Sequence, residues 1–207
     1  DIEPARRLGL AAFWSAGPSA MWPAGSPEPA RGSLDDVLSW LDSQPPADLL
    51  PDFTRPEAIT AILHSTPAAL QTLLAGHSPA QLTRQPSPGE WSPTEVLCHL
   101  RDVEREVNLP RLQTMLTLNN PFIAGQDTDR WAAERDYPAQ DCRDALQAFL
   151  DTRIELLRLL NRMSAEDWER PARHAIFGPT RLVELLNIVA GHDRLHVRQV
   201  LQALHTP

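Results

Sequence analysis

The chain has 207 residues, 42% apolar and 22% charged, which suffices for a sizeable core, and no apolar run approaches the ~18 residues of an ordinary transmembrane helix. Arginine supplies all 19 positive charges against 27 acidic residues, a formal balance of −8. The lack of any lysine excludes Schiff-base and P-loop-lysine chemistry, and the acidic balance argues against a nucleic-acid partner.

The N-terminal part, residues 1–53, reads as an irregular extension. Arg6-Arg7 followed by LGLAAFW faintly resembles an export signal, but about seven apolar residues is the lower limit for one. Residues 17–32 are rich in Pro, Gly, Ser and Ala and show no period. Ser33 with Asp36 three residues later predicts a short helix near 34–42.

From residue 54 to 207 only helices are predicted, and the fold class is all-α. The spacing of a capping box recurs at Thr54/Glu57, Ser78/Gln81, Ser92/Glu95 and Ser164/Asp167, with Pro79 and Pro93 at first helical positions. Four long elements follow. They cover about 57–76, with a kink or break expected at Pro67; about 93–117, bent at Pro110; about 140–162; and about 180–204. Residues 118–139 form a long crossing connection with one helical turn near Trp131. Cys98 and Cys142 lack metal-pair spacing and are too few for a disulfide framework, so they read as reduced thiols of a cytoplasmic protein, Cys98 as a small buried core residue.

The chemistry is concentrated in three histidines. His192 and His196 lie four apart on the last helix and continue its apolar stripe of Leu182, Leu185, Val189 and Val200. His99 interrupts the second helix's stripe of Val96, Leu100, Val103 and Val107. Three imidazoles aimed into a bundle without partners would be costly, and a divalent cation would satisfy them while keeping an open position, as in catalytic zinc sites. Glu95 and Asp102 flank His99 at helical spacing and are candidates to orient its ring. Asp193 and Gln199 neighbour the pair. His64, His77, His174 and His205 read as surface or loop residues, Trp91, Trp131 and Trp168 as core anchors, and the arginines as a solvated face with the carboxylates.

The stretch PSPGEWSPTEVLCHLRDVEREV resembles the second-helix signature of the DinB-like (YfiT-type) helical-bundle family. LNRMSAEDWERPARHAIFGPTRLVELLNIVAGHDRLHVRQVL is similar to its last third. The likeness spans about residues 57–204, and the first 50 residues have no counterpart in it. It implies an up-down-down-up four-helix bundle over 54–207 and His99, His192 and His196 as the metal triad. Zinc or nickel would come first, iron or manganese next. It further implies a homodimer acting on a small molecule. The activity would be a thiol S-transferase or detoxification step on an electrophile with a low-molecular-weight thiol cosubstrate, or metal-dependent hydrolysis. A non-catalytic stress-response bundle is the remaining alternative.

Overall fold

The computed structural model describes residues 12–15, 30–33, 35–43 and 52–205. Contacts divide the chain into two compact units, Asp1–Ala61 and Ile62–Pro207. In the first, β1 (Phe13–Ser15) and β2 (Ala30–Gly32) pair in parallel, and α1 (Asp36–Ser43) follows. The rings of Phe13 and Trp40 lie 5.3 Å apart. Ser33 donates both its N–H and its hydroxyl to the Asp36 carboxylate, so the expected capping pair forms. The strand pair was not expected, because three residues are too few to display a period of two. The Arg6-Arg7 segment and residues 17–29 lie outside the described residues.

The boundary between the units falls inside α2 (Pro56–Leu74). The second unit continues with α3 (Pro79–Thr83), α4 (Pro93–Val103), a π-helical segment (Glu104–Asn108) and α5 (Leu109–Thr117). The crossing connection carries β3 (Phe122–Ile123), α6 (Trp131–Glu134) and a 3₁₀ turn (Tyr137–Ala139). Then come α7 (Cys142–Leu160), α8 (Ala165–Trp168), β4 (Pro171–His174), β5 (Gly178–Arg181) and α9 (Leu182–His205). The fold is a four-helix bundle made by α2, the α4–α5 run, α7 and α9. Its core gathers Leu70, Leu74, Leu97, Leu100, Phe149 and Val200.

The helix starts are set locally. Ser78, Ser92 and Ser164 each accept the N–H three residues on, while Gln81, Glu95 and Asp167 reach back to the cap. Thr54 behaves differently: its N–H and hydroxyl both donate to Asp52 rather than forming a box with Glu57.

The two helix prolines are accommodated in different ways. Pro67 lies within α2 and breaks nothing. Lacking an N–H, it leaves the carbonyl of Leu63 without its ladder donor, and the Arg153 Nη1 of α7 donates to that carbonyl at 3.1 Å. Pro110 is preceded by the π-helical segment, in which Leu109 N–H reaches Glu104 O, five residues back. The expected bend is thus a wider helical turn, a common way to fit a proline into a continuing helix.

A small sheet departs from the all-helical expectation for this region. β3 pairs in parallel with β4, which forms an antiparallel hairpin with β5 closed by Gly178 at φ +71°. β4 alternates exposed and buried residues, turning Ala172 and His174 inward. With Pro171 and Pro179 inside four-residue strands, no alternating run was visible in the sequence. His174, read as a surface or loop residue, is consequently buried at 4% exposure.

Candidate metal centre

The capped start of α4 determines where His99 points. Ser92 opens the helix, and Val96, Leu100 and Val103 turn one face into the core, so His99 between them is carried inward to 6% exposure. On α9, Leu185, Val200 and Ala203 do the same for His196, at 7% exposure, while His192 is half-buried. The ring nitrogens of the three converge. His192 Nε2 lies 3.0 Å from His99 Nε2 and 3.0 Å from His196 Nε2, and the ligand atoms of the three rings all fall within 4.8 Å of one another.

Protonation chemistry argues that this cluster offers lone pairs to a common point. A ring nitrogen carries either one lone pair or one proton, so at most one of the two 3.0 Å contacts at His192 can be a linear hydrogen bond. His196 Nδ1 lies 2.8 Å from Gln199 Oε1, an acceptor. That nitrogen therefore carries the ring proton, and Nε2 presents its lone pair to the cluster. Desolvation, followed by the charges of the other two rings, pushes the His99 pKa down to about 3. Burial, then His196 and the Arg153 guanidinium, lowers that of His192 to about 3. His196 is lowered as well, first by burial. All three rings are thus neutral at pH 7, the form that ligates a cation. The buried Nδ1 atoms of His99 and His192 find no protein partner among the described residues. This chemistry fits a divalent cation.

The surroundings correct several expectations. Glu95 does not orient His99: its carboxylate accepts the Ser92 N–H at 2.8 Å and the Gln85 amide at 3.1 Å, as the capping box requires. Asp102 does not either. It is fully buried and accepts from Arg101 at 2.7 Å, Arg135 at 2.7 Å and the Tyr137 hydroxyl at 2.9 Å. Burial by itself would raise its pKa, but these three donors hold it below the usual carboxylate range. Gln199, three residues past His196, is the side chain that holds a triad ring. The i, i+3 spacing was the available signal.

Arg153 was missed. The arginines were expected on a solvated face, yet Arg153 is 0% exposed. It donates Nε to Glu104, and Nη1 and Nη2 to the two carboxylate oxygens of Asp193, next to His192. Its signal was its position four residues after Phe149 on the buried stripe of α7. Desolvation opposes its charge, but Glu104 and Asp193 overcome this and raise its pKa. Cys98 and Cys142 are free and buried, and burial pushes both thiols up to about 11, which suits inert core residues.

Two clefts reach the triad. His192 lines one of about 190 Å³ with Val107, Leu112, Leu185 and Val189. His196 lines a second, of about 480 Å³, with Trp91, Glu90, Gln199 and Gln202. The Trp91 indole lies 5.0 Å from the His99 ring and stacks near His196, shielding that side of the cluster.

The model of the DinB superfamily matches residues 62–200, a span that includes all three histidines. Among solved structures the chain is similar to YfiT from Bacillus subtilis, described as a probable metal-dependent hydrolase with an unusual four-helix bundle topology. The likeness has a TM-score of 0.65 at 19% identity and covers 74% of this chain and 88% of that one. At that identity it carries the fold and not the activity. No curated protein matches the sequence. With the family model spanning most of the bundle and the same fold recurring in YfiT, the chain belongs to the DinB superfamily.

Proposed function

We propose that this protein is a metal-dependent hydrolase of a small molecule, with a divalent cation held by Nε2 of His99, His192 and His196. The observation that carries the reading is the convergence of three neutral ring nitrogens, one of which, on His192, lines an apolar cleft. When bound, such a cation supplies Lewis-acid activation of a coordinated nucleophile at neutral pH. Imidazole ligands suit zinc, nickel, iron and copper, whereas manganese favours oxygen ligands.

The residues of the chain supply the rest. Gln199 fixes the tautomer and plane of His196. Trp91 keeps water from one side of the rings. The Arg153–Asp193 pair anchors α9 one residue from His192. The apolar cleft takes the body of the substrate. Because His192 and His196 each line a cleft, the site suits catalysis better than a closed structural ion site would.

A second reading, thiol S-transfer, is favoured by the presence of two clefts of different character at one centre. One is apolar and suits an electrophile. The other is lined by Glu90, Gln199 and Gln202 and suits a polar thiol cosubstrate. Elemental analysis tests the shared premise: about one divalent cation per chain is expected in wild type and none in His99→Ala. Turnover of an ester and electrophile panel with and without added thiol then separates the two. Hydrolysis proceeds without thiol and transfer stops. We propose in addition that two copies associate through the outer face of α9, where Ile188, Leu195 and Leu201 are exposed; a monomeric mass by light scattering would remove that claim.

A further inference from the structure

Arg111 on α5 stands apart from the other well-buried arginines. Arg153 and Arg101 are buried or nearly so and paired with carboxylates. Arg111 is half-buried, and among the described residues no carboxylate pairs with it. Its one hydrogen bond among the described residues, from Nη2, goes to the carbonyl of Ala124 at 2.8 Å. Burial accordingly lowers its pKa with no opposing charge to raise it. A guanidinium has five N–H donors, and placing it against apolar walls without an anion is unfavourable.

Those walls belong to the cleft that His192 of the triad also lines. Arg111 and His192 line the same cavity, with Val107, Leu112, Leu185 and Val189 between. Along the α4–α5 run, Arg111 lies eight residues beyond Val103, another lining residue, or about 12 Å of helix axis. Near Arg111 the wall turns polar with Gln126 and Thr128. A second buried donor lies within the field of Arg111. His174 accepts the N–H groups of Ile176 and Phe177 on Nδ1, which places its proton on Nε2, and that buried atom has no partner among the described residues. A charged donor, an apolar wall and the neutral His192 imidazole in one cleft describe the complement of an amphipathic acid.

We infer that this cleft binds a small apolar molecule bearing a carboxylate, with the carboxylate on the Arg111 guanidinium, the chain along Leu112, Leu185 and Val189, and the far end towards His192. The inference rests on the reading of the triad as the reacting end, and it assigns the substrate class: the acid-bearing half of a short aliphatic compound. Arg111 is a binding residue in this assignment and has no part in ligating the cation.

Octanoate and octanol serve as probes, since they share a chain and differ in charge. With full-length protein stripped by a chelator, calorimetry should find octanoate binding at least tenfold tighter than octanol. Arg111→Gln should lose at least tenfold in octanoate affinity and leave octanol unchanged, whereas His192→Ala should keep the tenfold preference. The octanoate-over-octanol ratio in wild type needs no variant to fold. Equal binding of the two probes, no binding of octanoate, or an Arg111→Gln affinity equal to wild type overturns the assignment. So does octanoate binding that appears only with metal and vanishes in His99→Ala, because the carboxylate is then on the cation; the metal reading survives that result. Conversely, a protein that binds octanoate as described but no metal retains the cleft and loses the proposed function.

Discussion

Two arginines on neighbouring helices show how one side chain serves opposite ends. Arg153 is wholly enclosed, and its donors are taken by Glu104, Asp193, the neighbour of His192, and the carbonyl of Leu63. Arg111, in the cleft that His192 lines, is half-buried with one carbonyl as partner among the described residues. The first is satisfied by the chain itself and ties α2, α4 and its π-helical extension, α7 and α9 together at the level of His192. The second is left wanting an anion. A buried ion pair contributes little net stability relative to an apolar replacement of the whole group, but removing one partner leaves the other charges stranded. The two sites should therefore respond very differently to mutation.

The largest effect is expected at the enclosed knot. Arg153→Met leaves Glu104 and Asp193 buried without a counter-charge and should destabilise the protein by about 3–5 kcal/mol, read as the midpoint shift in urea. Arg111→Gln should change the same midpoint by no more than about 0.5 kcal/mol. Equal losses at the two positions would erase the distinction. The next effect falls on the centre between them. Gln199→Ala should weaken metal affinity by about 10–100-fold, because the His196 ring loses the acceptor that fixes its tautomer, and competition with a metal-sensitive dye measures it.

Acidification sharpens the comparison further. His99 and His192 have folded-state pKa values near 3 against an ordinary 6.5, so the unfolded chain binds more protons between those limits. Their contribution is fully present above pH 6.5 and is lost as pH falls from 6.5 towards 3. Chelator-treated protein should lose stability between pH 6.5 and 5 with a slope approaching about 1.4 kcal/mol per pH unit for each ring. Asp102, whose pKa is lowered, stays ionised across that range and should not contribute. A flat profile by urea titration would mean that the rings are not buried as neutral groups. The smallest effect tests the link between Arg153 and Pro67. In the Arg153→Met background, Pro67→Ala should restore about 1 kcal/mol, since an N–H again reaches the carbonyl of Leu63; in wild type it should restore less.

Much of the bundle was legible because its signals are local. The capping boxes at Ser78, Ser92 and Ser164 depend on residues three apart, and they start helices where they were expected to. The stripes of α4 and α9 placed His99, His192 and His196 on inward faces, and the structure brings the three together. Most errors occur where partners are distant in sequence, although Glu95 is held by its own capping box only three residues away. Glu95 and Asp102 were within helical reach of His99, but a capping N–H and the donors of Arg101, Arg135 and Tyr137 hold them instead. Pro67 promised a break until an arginine 86 residues later supplied the missing donor. The strands after α8 and the burial of His174 were illegible because a four-residue ladder has no period to read.

The sequence alone determined the helical class, the starts of three helices and the inward direction of three imidazoles, since each follows from chemistry within one or two helical turns. Only the tertiary structure decided that those rings share a point and that Arg153 is sealed while Arg111 opens onto a cleft. Burial and pairing are properties of surfaces brought together by packing, and a side chain's own spacing along the chain does not contain them.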